Sequence, residues 1–211
     1  MNSLPVGARR YRPILEALAL LAVTFPLAVW LRLPTLWLLM PLLLITVAKR
    51  AYEAYGLTLE NPGRVVFHLA VITAVFVPYA IGHYALWRWW FGATFHLRLP
   101  PQLIQSALDQ IFIVALPEEF FFRGYLQTQC DQVWGTPYRL MGAACGVGLP
   151  FAAGVFALCH VLYGGPVRLV VFFPALLYGW LRARSTTIAV PVLYHAGSNL
   201  LMQIMLTSLA A

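Results

Sequence analysis

The sequence predicts an all-α fold, a polytopic transmembrane helix bundle of about seven spans with a range of six to eight, on three observations. Of its 211 residues 61% are hydrophobic and only 10% are charged, against about 45–50% and about 25% in an ordinary globular domain. The mean hydropathy is +0.77. The apolar residues gather in stretches close to the roughly 20 residues that cross about 30 Å of hydrocarbon. Too few polar side chains remain to cover a water-soluble core of this length, so the bilayer is the solvent.

The spans fall at 13–31, 33–48, 65–87, 103–122, 138–162, 167–181 and 187–209, the second and sixth being short. Arg9, Arg10 and Arg12 precede the first, as in a secretory signal. No small-x-small cleavage site follows cleanly, and more membrane segments come directly after, so it reads as an uncleaved first span. Pro26, Pro41, Pro78, Pro117 and Pro174 are expected to kink or break helices. With seven spans and the N-terminus inside, the inside set is Arg9, Arg10, Arg12, Lys49, Arg50, Arg64, Arg123, Arg139, Arg182 and Arg184, ten basic residues in loops or at span ends. The outside set is four, Arg32, Arg88, Arg98 and Arg168. That excess predicts a cytoplasmic N-terminus in the cell (inner) membrane. No repeat, low-complexity tract or soluble segment interrupts the pattern, which predicts a single integral membrane domain over 1–211.

The net charge of +7 does not indicate nucleic acid, because the basic residues stand singly or in twos and threes between apolar stretches. Cys130, Cys145 and Cys159 are odd in number and spell no Cys-x-x-Cys. They read as buried small apolar residues, not as a disulfide framework, a redox pair or a zinc knuckle.

Chemistry concentrates in a few residues. After Glu60 the acids are Asp109, Glu118, Glu119 and Asp131, and Glu118 and Glu119 sit in an otherwise apolar run. A charge near the bilayer centre costs about 2.5–3.5 kcal/mol on insertion scales, so such a pair marks a functional site. Glu119 and Arg123 are four apart on one helix face, acid before base, and form an ion pair that is structural or part of the site. Glu118 points about 100° away and needs a partner from another span. His160 closes one later span, and His195 and Asn199, four apart, share a face of another. A carboxylate and an imidazole can deprotonate water in a desolvated pocket. A second imidazole and an amide N–H can donate to the oxyanion formed when water attacks a carbonyl. The constellation reads as hydrolysis of an amide inside the membrane.

The blocks Glu118-Glu119-x-x-x-Arg123-Gly124-x-Leu126, Phe156-x-x-x-His160 and His195-x-x-x-Asn199 resemble, in order and spacing, the motifs of the CPBP (Abi) family of intramembrane proteases. That family includes type II CAAX prenyl endopeptidases and proteins of bacteriocin processing and immunity. The resemblance covers about residues 103–209, the motif-bearing core. It implies that Glu118 and His160 activate water, that His195 and Asn199 form the oxyanion hole, and that Glu119 and Arg123 hold the site together. It requires no metal or other cofactor; a zinc site of Glu118, His160 and His195 is the alternative. The chain is compact beside eukaryotic CAAX endopeptidases, and its arginine-rich, lysine-poor usage fits a bacterium of high genomic GC content. The implied substrate is a membrane protein or lipid-anchored peptide, with the myxosortase-like branch, which acts on C-terminal anchors, as one form.

Other chemistries lack their residues. No His-Glu-x-x-His run is present for a site-2-type enzyme. Asp109 and Asp131 lie outside any Gly-x-Gly-Asp context, and Ser198 reads as a small helix-packing residue. Cys159 and His160, being consecutive, diverge around a helix and do not form a thiol pair. The rival readings are a non-proteolytic immunity or scaffold protein of the same fold and a proton-coupled transporter; no two matching halves support the latter. His68, His83, His96, Trp87 to Trp90 and Phe120 to Phe122 fit interface anchoring and lipid contact. Asp109 is buried by pattern, without an obvious local partner, and is expected to back the site.

Overall fold

The computed structural model describes residues 6–58, 62–92 and 94–209. In chain order the elements are α1 (Val6–Leu31), α2 (Leu36–Val47), a 3-10 turn (Tyr52–Tyr55), α3 (Pro62–Phe91), α4 (Leu103–Asp109), a π-helical stretch (Gln110–Ala115) and α5 (Leu116–Glu119). A second π-helical stretch (Phe120–Leu126), α6 (Gln127–Trp134), β1 (Tyr138–Leu140), β2 (Ala143–Cys145), α7 (Gly148–Gly164), a 3-10 stretch (Pro166–Val171), α8 (Phe172–Ser185) and α9 (Ala189–Ser208) complete it. The fold is mostly helical, as composition and apolar run length require. Two helical segments among the described residues, Arg10–Leu31 and Pro166–Ser185, combine the length and hydropathy needed to cross a bilayer. The helices Leu36–Val47 and Gly148–Gly164 are apolar and shorter, 12 and 17 residues.

The chain divides into two compact units, 1–59 with 116–191 and 60–115 with 192–211. In the first, α1 and α2 each end by the same device. Arg32 and Lys49 take left-handed conformations, φ 54° and 52°. The following N–H groups reach back, Leu33 to the Ala28 carbonyl at 3.0 Å and Arg50 to the Ile45 carbonyl at 3.0 Å. These six-to-one bonds occupy carbonyls that a helix end otherwise leaves bare. The turn at Lys49 also delivers Arg50 to Glu16 of α1, which it grips with both nitrogens at 2.7 and 2.8 Å. The same carboxylate accepts from the Tyr125 hydroxyl at 2.5 Å and from Gln129 Nε2 at 3.1 Å. Glu16 thus ties the first helix, the loop after α2 and the 120–134 stretch into one half-buried polar knot at the edge of an apolar core.

Around the knot the core is aromatic. Trp37 of α2 meets Phe121 edge-on at 4.8 Å between ring centres, and Phe122 meets Phe156 of α7 in the same manner at 5.0 Å. Edge-to-face contacts of this kind add about 0.5–1.5 kcal/mol each beyond area burial. Phe120, Phe121 and Phe122 are all fully buried, which corrects the expectation that they face lipid. They fill the space between α2, α7 and their own helix, where their bulk buries more surface than at a periphery.

Other expectations also change. The helix that carries the fourth apolar stretch does not end with it at 122: helical structure runs unbroken through 103–134, past the mostly polar residues 127–132. The fifth does not begin as a helix at 138. Residues 138–145 form an antiparallel hairpin pairing Tyr138 with Cys145 and Leu140 with Ala143. Its two-residue turn, Met141 and Gly142, has φ of 48° and 86°, and positive φ at both positions matches the right-handed twist of a tight hairpin. Apolar composition alone does not separate such a hairpin from a helix start. Trp180 Nε1 donates to the Leu140 carbonyl at 2.9 Å and Arg184 donates to the Met141 carbonyl, fastening the hairpin to α8. Pro26, Pro41 and Pro78 lie inside α1, α2 and α3, which continue past them. Cys130, Cys145 and Cys159 are free and buried.

In the second unit a side chain of α9 reaches α3. The Tyr194 hydroxyl donates to the His68 carbonyl at 2.7 Å, and His68 is buried, unlike the exposed interface residue expected. His83 lies between the rings of Tyr79 and Trp87, 5.9 Å from each. The segment before α4 is pinned to the end of α9: the backbone N–H groups of His96 and Arg98 donate to the Ser208 carbonyl and hydroxyl, each at 2.9 Å.

Glu16→Ala removes the shared acceptor of three donors. A hydrogen bond to a charged group contributes about 1.5–3 kcal/mol, so we expect the variant to lose about 3 kcal/mol in equilibrium unfolding in detergent, and Glu16→Gln to lose less.

Candidate active site

The motif-bearing α5 lies between two π-helical stretches. Pro117 supplies part of the reason. It has no N–H to give the carbonyl four residues back, and its ring crowds that carbonyl, so the ladder before it opens. π turns accommodate an extra residue and are frequent at functional sites.

Glu119 and Arg123 pair as their spacing predicts, at 3.0 Å, with side chains 0% and 1% exposed. Two buried charges are costly unless further contacts replace the lost water. Arg123 finds them on two more helices. A second guanidinium nitrogen donates to the Ala175 carbonyl of α8 at 3.3 Å. The guanidinium stacks 4.4 Å from the Phe156 ring centre and 5.4 Å from that of Tyr178. Arg123 therefore joins the motif helix to α7 and α8 through charge, hydrogen bond and cation–π contact together.

Phe156 passes this order on to His160. The two rings lie 4.3 Å apart, and His160 Nδ1 is 3.0 Å from the Phe156 carbonyl oxygen. A carbonyl only accepts, so Nδ1 carries the hydrogen, and in the neutral form of the ring the lone pair is on Nε2. That is the form of an imidazole ready to take a proton. Glu118 is half-buried on α5, next to the Glu119–Arg123 pair.

Glu118, Glu119, Arg123 and His160 belong to the first unit, and His195 and Asn199 to the second. On α9, His195 is buried at 5% exposure and Asn199 follows one turn later, half-buried. Asn199 Nδ2 donates to Gln110 Oε1 at 2.8 Å. Ser198 turns its hydroxyl back to the Tyr194 carbonyl at 2.8 Å, a bond within its own helix. Sequence reasoning did not find Tyr178 or Gln110, which carry no pattern of their own. Phe156 stood in the motif without a role; its spacing of four from His160 is the signal. Asp109 is exposed and accepts from Gln105 Nε2 at 2.8 Å, so it does not back the site. One turn of helix carries both residues, and the pair is satisfied in place.

Among the described residues no three His, Cys, Asp or Glu side chains gather into a group able to hold a metal ion. A polar cavity of about 310 Å³ lies in the first unit, bordered by Arg123, Gln127, Asp131, Thr136 and Arg182 among others. Burial raises the Asp131 carboxyl to about 6, with Arg182 opposing the rise.

Residues 100–201 match the family model described as type II CAAX prenyl endopeptidase, Rce1-like. All nine named residues of the three motifs fall in that stretch. No curated protein and no solved structure matches the chain.

Removing one member of a buried pair strands the other charge, at a cost of about 3–5 kcal/mol. Arg123→Met is expected to lose that much in unfolding measurements, while Glu119→Leu combined with Arg123→Met recovers most of it. Asp131, raised in the folded state, binds more protons there than when unfolded. Its contribution is full below the unfolded value near 3.8 and is lost as pH rises through about 6. The melting temperature of wild type relative to Asp131→Asn should therefore fall across that interval, and a flat difference contradicts the assignment.

Proposed function

For a chain that carries, across residues 100–201, the domain of the type II CAAX prenyl endopeptidase Rce1-like family, we propose the function of an intramembrane endopeptidase. Its substrate is a membrane protein or lipid-anchored peptide, in one form a C-terminally anchored surface protein. The family is one of membrane-embedded proteases, and helices Arg10–Leu31 and Pro166–Ser185 have the length and hydropathy to cross the bilayer. The protein lies in the cell membrane with its N-terminus in the cytoplasm, a reading that rests on the ten-to-four distribution of basic residues.

The observation that carries the mechanism is the hydrogen bond from His160 Nδ1 to the Phe156 carbonyl. It leaves Nε2 as the proton acceptor. Glu118 and His160 take a proton from water, and the oxygen so activated attacks the scissile carbonyl carbon. The carbonyl π electrons move to its oxygen, and His195 and Asn199 donate to the resulting oxyanion. On collapse the carbon–nitrogen bond breaks, and the proton held by the Glu118–His160 pair passes to the departing amine. Glu119 and Arg123 touch no reacting atom in this scheme. They fix Phe156, and through it the plane of the imidazole.

The test compares peptide termini across the membrane proteome of cells carrying wild type, Glu118→Ala or His160→Ala at matched expression. General acid–base groups contribute about 10²–10⁴-fold in rate, so a small set of termini should vanish in both variants while each protein still inserts and accumulates. Wild-type cleavage by Glu118→Ala sinks the mechanism. Termini identical in all three strains favour an immunity or scaffold protein, and loss of ion flux without any cut protein favours a transporter.

A further inference from the structure

An asparagine serves as an oxyanion donor only if its nitrogen, and not its oxygen, faces the reacting carbonyl, and the two ends of a carboxamide have nearly the same shape. Something must choose between them. On α9, Asn199 Nδ2 gives one hydrogen to Gln110 Oε1 at 2.8 Å, which holds the nitrogen on that side. The second Nδ2 hydrogen, about 120° away in the amide plane, stays available to another acceptor. Gln110 is half-buried and opens the π-helical stretch Gln110–Ala115. The polar pair one turn earlier does not compete, because Gln105 is spent on Asp109 at 2.8 Å. The opposite end of the same α9 turn is tethered too, by the Tyr194 hydroxyl on the His68 carbonyl at 2.7 Å. The backbone around His195 and Asn199 is thus fixed at one end, and the rotation of the Asn199 amide at the other.

We propose that Gln110 is a positioning residue that sets the carboxamide of Asn199 with its nitrogen toward the oxyanion. The proposal rests on the peptidase reading and adds a residue to it that lies outside the three motifs. Gln110 touches no reacting atom and acts only through Asn199. Two consequences separate it from a residue that merely packs. A glutamate at this position accepts but cannot donate, so Gln110→Glu retains the amide orientation, whereas Gln110→Leu releases it. And once Asn199 is removed, nothing is left for Gln110 to orient.

The experiment follows the rate at which Glu118-dependent termini appear after induction of wild type, Gln110→Leu, Gln110→Glu, Asn199→Ala and the Gln110→Leu/Asn199→Ala double variant. Melting temperatures of the purified proteins in detergent are measured alongside. Loss of one oxyanion donor costs about 10²–10³-fold, and its misorientation less. We expect Gln110→Leu to slow the termini about tenfold with little change in melting, Gln110→Glu to restore most of the rate, and the double variant to be no slower than Asn199→Ala. A wild-type rate in Gln110→Leu overturns the proposal, as does a double variant slower than Asn199→Ala by the full single-variant factor, since independent effects multiply. A rate lost in Gln110→Leu in step with a lower melting temperature also overturns it. Those results leave the peptidase reading standing. If no terminus depends on Glu118 in wild type, that reading fails and takes this proposal with it.

Discussion

The first unit depends on two charges placed where charges are least welcome. Glu119 and Arg123 are both buried, and their mutual attraction alone would not offset the water they have lost. What makes the pair tenable is that the guanidinium spends its remaining capacity on other helices: a carbonyl of α8 at 3.3 Å, the face of Phe156 at 4.4 Å, the face of Tyr178 at 5.4 Å. Each compensation fixes a neighbour. The electrostatic demand of one residue thereby becomes a positional constraint on three helices, and the last link, from the Phe156 carbonyl to His160 Nδ1, converts position into a choice of tautomer. A lysine could not make the same set of contacts, because the planar fork donates in plane while its face stacks.

A second polar knot supports the same stretch from the other side. Glu16 collects Arg50, Tyr125 and Gln129, so 120–134 is held by one knot at Glu16 and another at Arg123. Between them lie Phe120, Phe121 and Phe122, fully buried. The design answers a general difficulty of apolar bundles. Side chains of similar shape can slide past one another at little cost, whereas a hydrogen-bonded charge tolerates one register only.

Much of this was legible in the sequence, and the rest was hidden for specific reasons. The Glu119–Arg123 pair could be read from spacing, since helical neighbours four apart meet on any helix face. The shared face of His195 and Asn199 followed from the same rule. The burial of the three phenylalanines could not be read, because an apolar side chain looks the same whether its neighbours are lipid or protein. Asp109 was misplaced for the complementary reason: its apolar surroundings suggested burial, but a local glutamine satisfies it at the surface. The hairpin at 138–145 was concealed by apolar composition, which hides strand from helix over short lengths. Glu16 and Gln110 act through partners 34 to 113 and 89 positions away, and no local pattern reports contacts at such separations.

The three cysteines, buried and unbonded, have a consequence for how the molecule can be observed. Thiol reagents need an accessible thiolate, and burial both removes access and, at Cys130, pushes the thiol up to about 12. The native chain is therefore quiet toward water-soluble maleimides without any cysteine having to be removed. A single cysteine introduced into a loop becomes the one reporter, so fluorophores, spin labels or impermeant blockers can map which side of the bilayer each loop occupies in an otherwise unaltered protein.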